Sequence, residues 1–152
     1  MISKPSIRVA EQSDLKSILE IENQSFAVEA FNARQFKYLL KTLTSYFFVA
    51  TIDNAIAGYG IVLWRKNSKI LRVYSIAVAK EFRGKGVAHC ILQETKRFSK
   101  AKNLMRLSLE VRTDNARAIA IYQEEGFSVS GQKQHYYGQD EHALVMKHSI
   151  EH

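Results

Sequence analysis

At 152 residues and 17.4 kDa the chain has the common size of one domain, and that length buries roughly 70% of the unfolded surface, so the core needs no disulfide or metal staple. Apolar residues make up 46% and charged residues 24%, which excludes disorder, collagen-like repeats and a coiled coil. The single cysteine, Cys90, excludes an internal disulfide framework and a cysteine-rich zinc site, and no apolar run approaches the ~20 residues of a membrane span. The segment from Met1 to Pro5 lacks the apolar core of a secretory signal, so the expected compartment is the cytoplasm, with no membrane partner. Lys and Arg number 22 against 15 Asp and Glu, a net charge of +7. That excess favours encounters with polyanions. The charges are dispersed, however, and no block of five marks a basic tail, which argues against nucleic acid as the partner.

The elements alternate without a linker or a repeat. Ile7–Ala10 reads as a short strand. Ser13 is a plausible cap for a helix carrying Leu15, Ile18, Leu19 and Phe26. Asn32 stands before a second helix carrying Phe36, Leu39 and Leu40. Tyr46–Ile52 is aromatic and β-branched, Asp53-Asn54 is a hairpin turn, and Ala55–Trp64 is the return strand. Lys66-Asn67-Ser68 turns the chain into Ile70–Val78, which completes an antiparallel meander. Val87, Ile91, Leu92, Thr95 and Phe98 then share one helical face. Met105–Arg112 alternates as a strand, Asn115 caps a helix through Glu125, and Gly126 ends it. Phe127–His135 and Ala143–Lys147 close the sheet. A strand, helix, strand unit from Ile70 to Val111 implies one parallel pair inside a mostly antiparallel sheet.

The sharpest local feature is Arg83-Gly84-Lys85-Gly86-Val87-Ala88, between a strand and a helix. Glycines remove Cβ atoms where the chain turns close to a ligand. The first N–H groups of a helix lack internal partners, and its dipole adds positive potential. Such a site takes phosphate oxygens readily. The ordinary alternative is a glycine-bearing loop that enters a helix. The hexapeptide is not a Walker A loop, and Gly58-Tyr59-Gly60 does not continue into a dinucleotide fingerprint. Downstream stand Leu109-Glu110-Val111-Arg112, then Asn115-Ala116-Arg117-Ala118-Ile119, Tyr122 and Gly126-Phe127.

Together with Tyr74-Ser75-Ile76-Ala77-Val78, these motifs in this order resemble the GNAT superfamily of acetyl-CoA-dependent N-acetyltransferases. Within it the chain resembles the RimI-type group, which acetylates protein N-terminal amines. The resemblance spans nearly the whole chain and is strongest from Tyr74 to Phe127. It implies an α/β fold, the acyl-CoA N-acyltransferase fold, as one domain over residues 1–152. In that fold a mixed, mostly antiparallel sheet carries helices on both faces. It implies acetyl-CoA as donor, held by the backbone of Ile76, Ala77 and Val78, by a pyrophosphate loop of Arg83, Gly84, Lys85, Gly86, Val87 and Ala88, and by Asn115. In the family the first of these strands splays from its parallel neighbour, and an N–H near Val78 can hold the thioester oxygen. The resemblance also implies Glu110 as general base and Tyr122 near the sulfur, with no metal.

The chemistry fits those residue types. An N-terminal amine has a pKa of ~8 and a lysine amine ~10.4, so each must lose a proton before it attacks. A carboxylate at ~4.3 is a weak base that burial strengthens, and a water can relay the proton. A phenol at ~10 can protonate a departing thiolate of ~8.5. Without the resemblance, Glu110 reads as a solvated or ion-paired strand residue and Tyr122 as a core aromatic. Asn115 can cap its helix and also contact the cofactor. Cys90 reads as packing.

Phe31, Tyr136 and Tyr137 fall where the resemblance implies the acceptor side. Glu29-Ala30-Phe31 lacks the Pro-Trp pair that RimI-type ribosomal acetylases often carry there, which bears on the target and not on acetyl transfer. A protein or peptide N-terminus, a ribosomal protein included, is the leading acceptor. Lysine side chains and polyamine-like small amines are alternatives. A non-catalytic acetyl-CoA sensor and a nucleic-acid or ribosome-binding scaffold are the rivals from other classes. Monomer and homodimer both remain open.

Overall fold

A computed structural model describes residues 4–26, 33–138 and 141–151. Its sheet is built from seven strands: β1 (Ser6–Val9), β2 (Ser45–Ile52), β3 (Ala55–Trp64), β4 (Ile70–Val78), β5 (Arg106–Arg112), β6 (Ser128–Gly138) and β7 (Glu141–Ser149). The helices are α1 (Leu15–Phe26), α2 (Ala33–Lys41), α3 (Val87–Ala101) and α4 (Ala116–Glu124). Strand order is β1-β2-β3-β4-β5-β7-β6. Only β4 and β5 pair in parallel; the other neighbours are antiparallel. This is the expected mixed sheet, with β7 inserted between β5 and β6.

The expected turns form for the expected reason. Asp53 and Asn54 both take positive φ, 51° and 69°, as a two-residue hairpin requires. Gly126 at φ +96° ends α4, although the last helical residue is Glu124, one short of expectation. Ser13 does not cap α1. It lies inside a 3-10 turn, Gln12–Asp14, that leads into the helix. The Asp14 carboxylate, buried and paired with Arg8 at 2.8 Å, accepts the Glu11 N–H at 2.7 Å. The helical turn therefore starts ahead of Ser13, with its N-cap at Glu11, and Ser13 falls inside the turn where it cannot serve as the cap. Asn32 and the Phe26 side chain lie outside the described residues.

Alternation along β2 divides the core. Phe47 and Val49 face α1 and α2 and pack with Ile18, Phe36 and Tyr59. Phe48 and Ala50 face the other side and pack with Val87 and Ile91 of α3. A third cluster joins Leu92 of α3, Leu107 and Leu109 of β5, and Ile119 and Tyr122 of α4. Helices therefore cover both faces, and α4 leans on the side of α3. Gly58 sets how closely α3 approaches: a Cβ there would meet the Ala77 carbonyl oxygen at 2.7 Å and side chains of Ile91 and Val87 at 3.1 Å. Gly58→Ala is expected to cost about 1–3 kcal/mol through overpacking, read as a lower urea midpoint with an unchanged slope.

Candidate active site

The site begins where two strands part. β4 and β5 pair only through Ile70 with Arg106, Leu71 with Leu107 and Arg72 with Ser108. Two residues later β4 carries a bulge: Ile61 pairs with Ser75 and Val62 with Val73, so Tyr74 is the extra residue. A bulge bends its strand and increases the twist. Beyond it β4 stays with β3, as far as Val78 opposite Gly58, while β5 stays with β7, as far as Arg112 opposite Ala143. The gap opens into a crevice of about 1120 Å³.

Backbone alternation decides what the gap offers. The Ala79 N–H donates to the Ala57 carbonyl at 2.7 Å. Antiparallel alternation then turns the backbone of Ala77 toward β3 and the N–H and C=O groups of Ile76 and Val78 toward the gap. Of the three residues expected to serve there, Ile76 and Val78 present free backbone. Ala77 lines the crevice but spends its polar groups on the sheet.

At one end of the crevice stands the glycine loop. Gly84 and Gly86 both have φ +78°, the left-handed region. A Cβ on either would meet no atom within 4 Å, so the space above both is open. Gly86 is the N-cap of α3, and the first internal bond of the helix runs from the Cys90 N–H to the Gly86 carbonyl at 3.0 Å. The N–H groups before it lack intrahelical acceptors. Arg83, Gly84, Gly86, Val87 and Ala88 all line the crevice. Lys85 does not: its ammonium lies 5.9 Å from the centre of the Phe82 ring, so its charge contributes only at longer range.

Glu110, Tyr122 and Asn115 line the same crevice. Glu110 reaches it from β5 with its side chain 14% exposed. Its Oε1 accepts from Lys133 Nζ at 2.7 Å, and Arg72 stands 3.7 Å from Oε2. The carboxylate is thus ion-paired as well as crevice-facing. Tyr122 is half-buried against Phe127, with ring centres 6.0 Å apart. Burial pushes its phenol up to about 12, so it holds its proton at neutral pH. Asn115 does cap α4: its Oδ1 accepts the Ala118 N–H at 3.1 Å. That leaves the amide NH₂ group to donate into the crevice. Cys90 is half-buried, and its thiol is pushed up first by burial and then by Glu94, as suits packing and not a thiolate nucleophile. Phe31 lies outside the described residues, as do the side chains of Tyr136 and Tyr137.

Arg72, Glu22 and His89 are among the crevice residues that escaped the sequence reading. Arg72 marks the last parallel pair, and nothing local in the sequence announces that position. Glu22, 1% exposed on α1, lines the crevice too. It did leave a signal, for it falls in phase with Leu15 and Ile18, a carboxylate interrupting an apolar helical stripe. His89 lines the crevice from the first turn of α3 and ties that turn to α4. Its Nδ1 lies 2.7 Å from Glu125 Oε1, and the other Glu125 oxygen accepts from Gln93 at 2.7 Å and Lys96 at 2.8 Å.

Burial alone would raise the Glu125 carboxyl, but bonds from Lys96 and His89 outweigh it and hold the group below its ordinary 4.5. The stability this confers is complete above the unfolded value and is lost as pH falls through the lower folded value. Wild type should therefore melt higher than Glu125→Gln at neutral pH, and the two melting curves should draw together as the pH falls below the ordinary carboxyl value of 4.5.

The comparisons with known proteins agree with this geometry. Residues 15–127 match the Acetyltransferase (GNAT) family. An N-alpha-acetyltransferase of Saccharolobus solfataricus is 32% identical over 152 residues, spanning 93% of this chain and 90% of that protein. The ribosomal protein bS18-alanine N-acetyltransferase of Salmonella typhimurium is 26% identical over 137 residues, 87% of this chain and 86% of that one. The crystal structure of the Escherichia coli ribosomal-protein-S18-alanine N-acetyltransferase shares the fold, with a TM-score of 0.86 at 24% identity over 97% of this chain and 95% of that one. With the parted strands, the glycine loop at a helix N-terminus and a carboxylate and a phenol on one crevice, this chain belongs to the GNAT family and is an N-acetyltransferase.

Proposed function

We propose that the crevice seats acetyl-CoA and that the acetyl group passes directly to the α-amine of a protein or peptide N-terminus. One observation carries this reading: the gap between β4 and β5 runs from the α3 N-terminus to a wall that holds both Glu110 and Tyr122. The residues fit the donor. The open space over Gly84 and Gly86 accommodates a diphosphate against the N–H groups of α3, with Arg83 adding charge. Ile76 and Val78 offer N–H and C=O groups along the gap, as an extended amide-bearing arm requires.

When bound, acetyl-CoA supplies a polarised carbonyl and a thiol leaving group. The chain's residues do the rest. An acceptor ammonium loses two protons on becoming an amide. Glu110 takes one, directly or through a water, and passes it to solvent. The Val78 N–H donates to the carbonyl oxygen as negative charge gathers there. As the N–C bond forms and the C–S bond breaks, Tyr122 gives its proton to the departing sulfur, and the second ammonium proton restores the phenol.

The acceptor assignment draws on the relatives. The solfataricus protein is named for N-alpha-acetylation and the Salmonella protein for a ribosomal protein's alanine. A ribosomal protein N-terminus belongs to the same acceptor class. The test is thiol release from acetyl-CoA against three acceptors: a peptide with a free N-terminus, an N-terminally blocked peptide with one lysine, and a polyamine. The free N-terminus is expected to be fastest. Preference for the blocked lysine peptide or the polyamine would overturn the acceptor, and silence across the panel despite cofactor binding would favour a sensor.

A further inference from the structure

We propose that Lys133 is a second acceptor, and that without an external amine the enzyme acetylates this side chain of its own. The inference rests on the acetyl-transfer reading above and extends it to a modification site. An amine that Glu110 deprotonates directly comes within hydrogen-bond distance of its carboxylate. Lys133 is already there, with Nζ 2.7 Å from Oε1.

The sheet explains how a residue 23 positions away reaches that point. Glu110 pairs with Val145, and Val145 with Gly131; Arg112 pairs with Ala143, and Ala143 with Lys133. Direct partners and second neighbours share a sheet face, so Glu110 and Lys133 lie on one face, separated by β7. The residue on β6 in line with Glu110 is Gly131, where a Cβ would meet nothing within 4 Å. No side chain at that position obstructs the lysine as it crosses β7. The Lys133 side chain is 51% exposed, and a change of rotamer would turn its amine toward the crevice that Glu110 lines.

The step balances as for an external amine. The Lys133 ammonium loses two protons, one to solvent through Glu110 and one in exchange for the Tyr122 proton that goes to the CoA sulfur. The Nζ–C bond forms and the C–S bond breaks. The product is a neutral amide at Lys133 and free CoA thiol. Acetylation removes the Lys133 positive charge from beside Glu110. The reaction also consumes its only acceptor, so it stops at one acetyl group on this side chain.

The test incubates the purified full-length protein with acetyl-CoA alone, then reads intact mass and maps the modified peptide. One acetyl group per chain is expected on Lys133, formed at a fractional rate independent of protein concentration. Lys133→Arg, which keeps the positive charge but is no acceptor, should gain none there. Tyr122→Phe should acetylate Lys133 about 10²-fold more slowly. Unmodified Lys133 in a preparation that acetylates an N-terminal peptide would overturn this proposal and leave the transferase reading standing. Equal labelling in Tyr122→Phe would assign the modification to uncatalysed chemistry and overturn it as well. Inactivity toward both the peptide and Lys133 would remove both readings together.

Discussion

Gly86→Glu is expected to remove measurable CoA binding from a protein that stays folded. Gly86 sits at φ +78° with open space where a Cβ would stand. Any L-residue there takes on roughly 1–2 kcal/mol of backbone strain. A glutamate also extends a carboxylate into the space assigned to the diphosphate. Like charges about 4 Å apart repel by about 1 kcal/mol in water and about 4 kcal/mol near a protein surface. The bulk of the side chain adds to both. Gly86→Ala isolates the strain and the methyl group, and it should weaken binding far less. Calorimetric titration with CoA reads the difference, and a melting curve confirms the fold. An unchanged dissociation constant for Gly86→Glu would mean that the glycine loop does not carry the cofactor.

Tyr122→Phe is expected to lower kcat by about 10²–10⁴-fold and to leave the acceptor KM nearly unchanged. The ring packs against Phe127 and into the cluster shared by α3, α4 and β5, and phenylalanine preserves that packing. Only the hydroxyl is lost. Burial pushes the phenol up to about 12, so it remains a proton donor from about pH 6 to about pH 9. No falling limb from Tyr122 should appear in the wild-type profile over that range. Glu110→Gln should also lower turnover, with little loss of acetyl-CoA affinity. A KM rise in Tyr122→Phe without a kcat loss would assign the tyrosine to binding alone.

The sequence was most legible where one local signal sufficed. Two asparagine-type residues at positive φ made the first hairpin. Gly126 ended α4, and the Val87, Ile91, Leu92 stripe put α3 on the sheet. The candidate site was legible in its parts, because a glycine loop before a helix and an alternating strand with one carboxylate are local patterns. Its assembly was not. Where β4 leaves β5 depends on a bulge that registers only when three strands are aligned. The Lys133 contact crosses β7, a strand later in sequence than either partner. Ser13 misled because the helical turn starts before it, at Glu11, whose N–H the Asp14 carboxylate accepts.

The gap between β4 and β5 is the seat on which the rest of the chemistry depends, and backbone amide shifts during a CoA titration test it most directly. The expected response is concentrated at Ile76, Val78 and the segment from Arg83 to Ala88, with smaller changes at Asn115 and Tyr122. A response centred instead on the smaller hollow of about 500 Å³ beside Lys96, Arg97 and Lys100, with the 76–88 amides unmoved, would contradict the account.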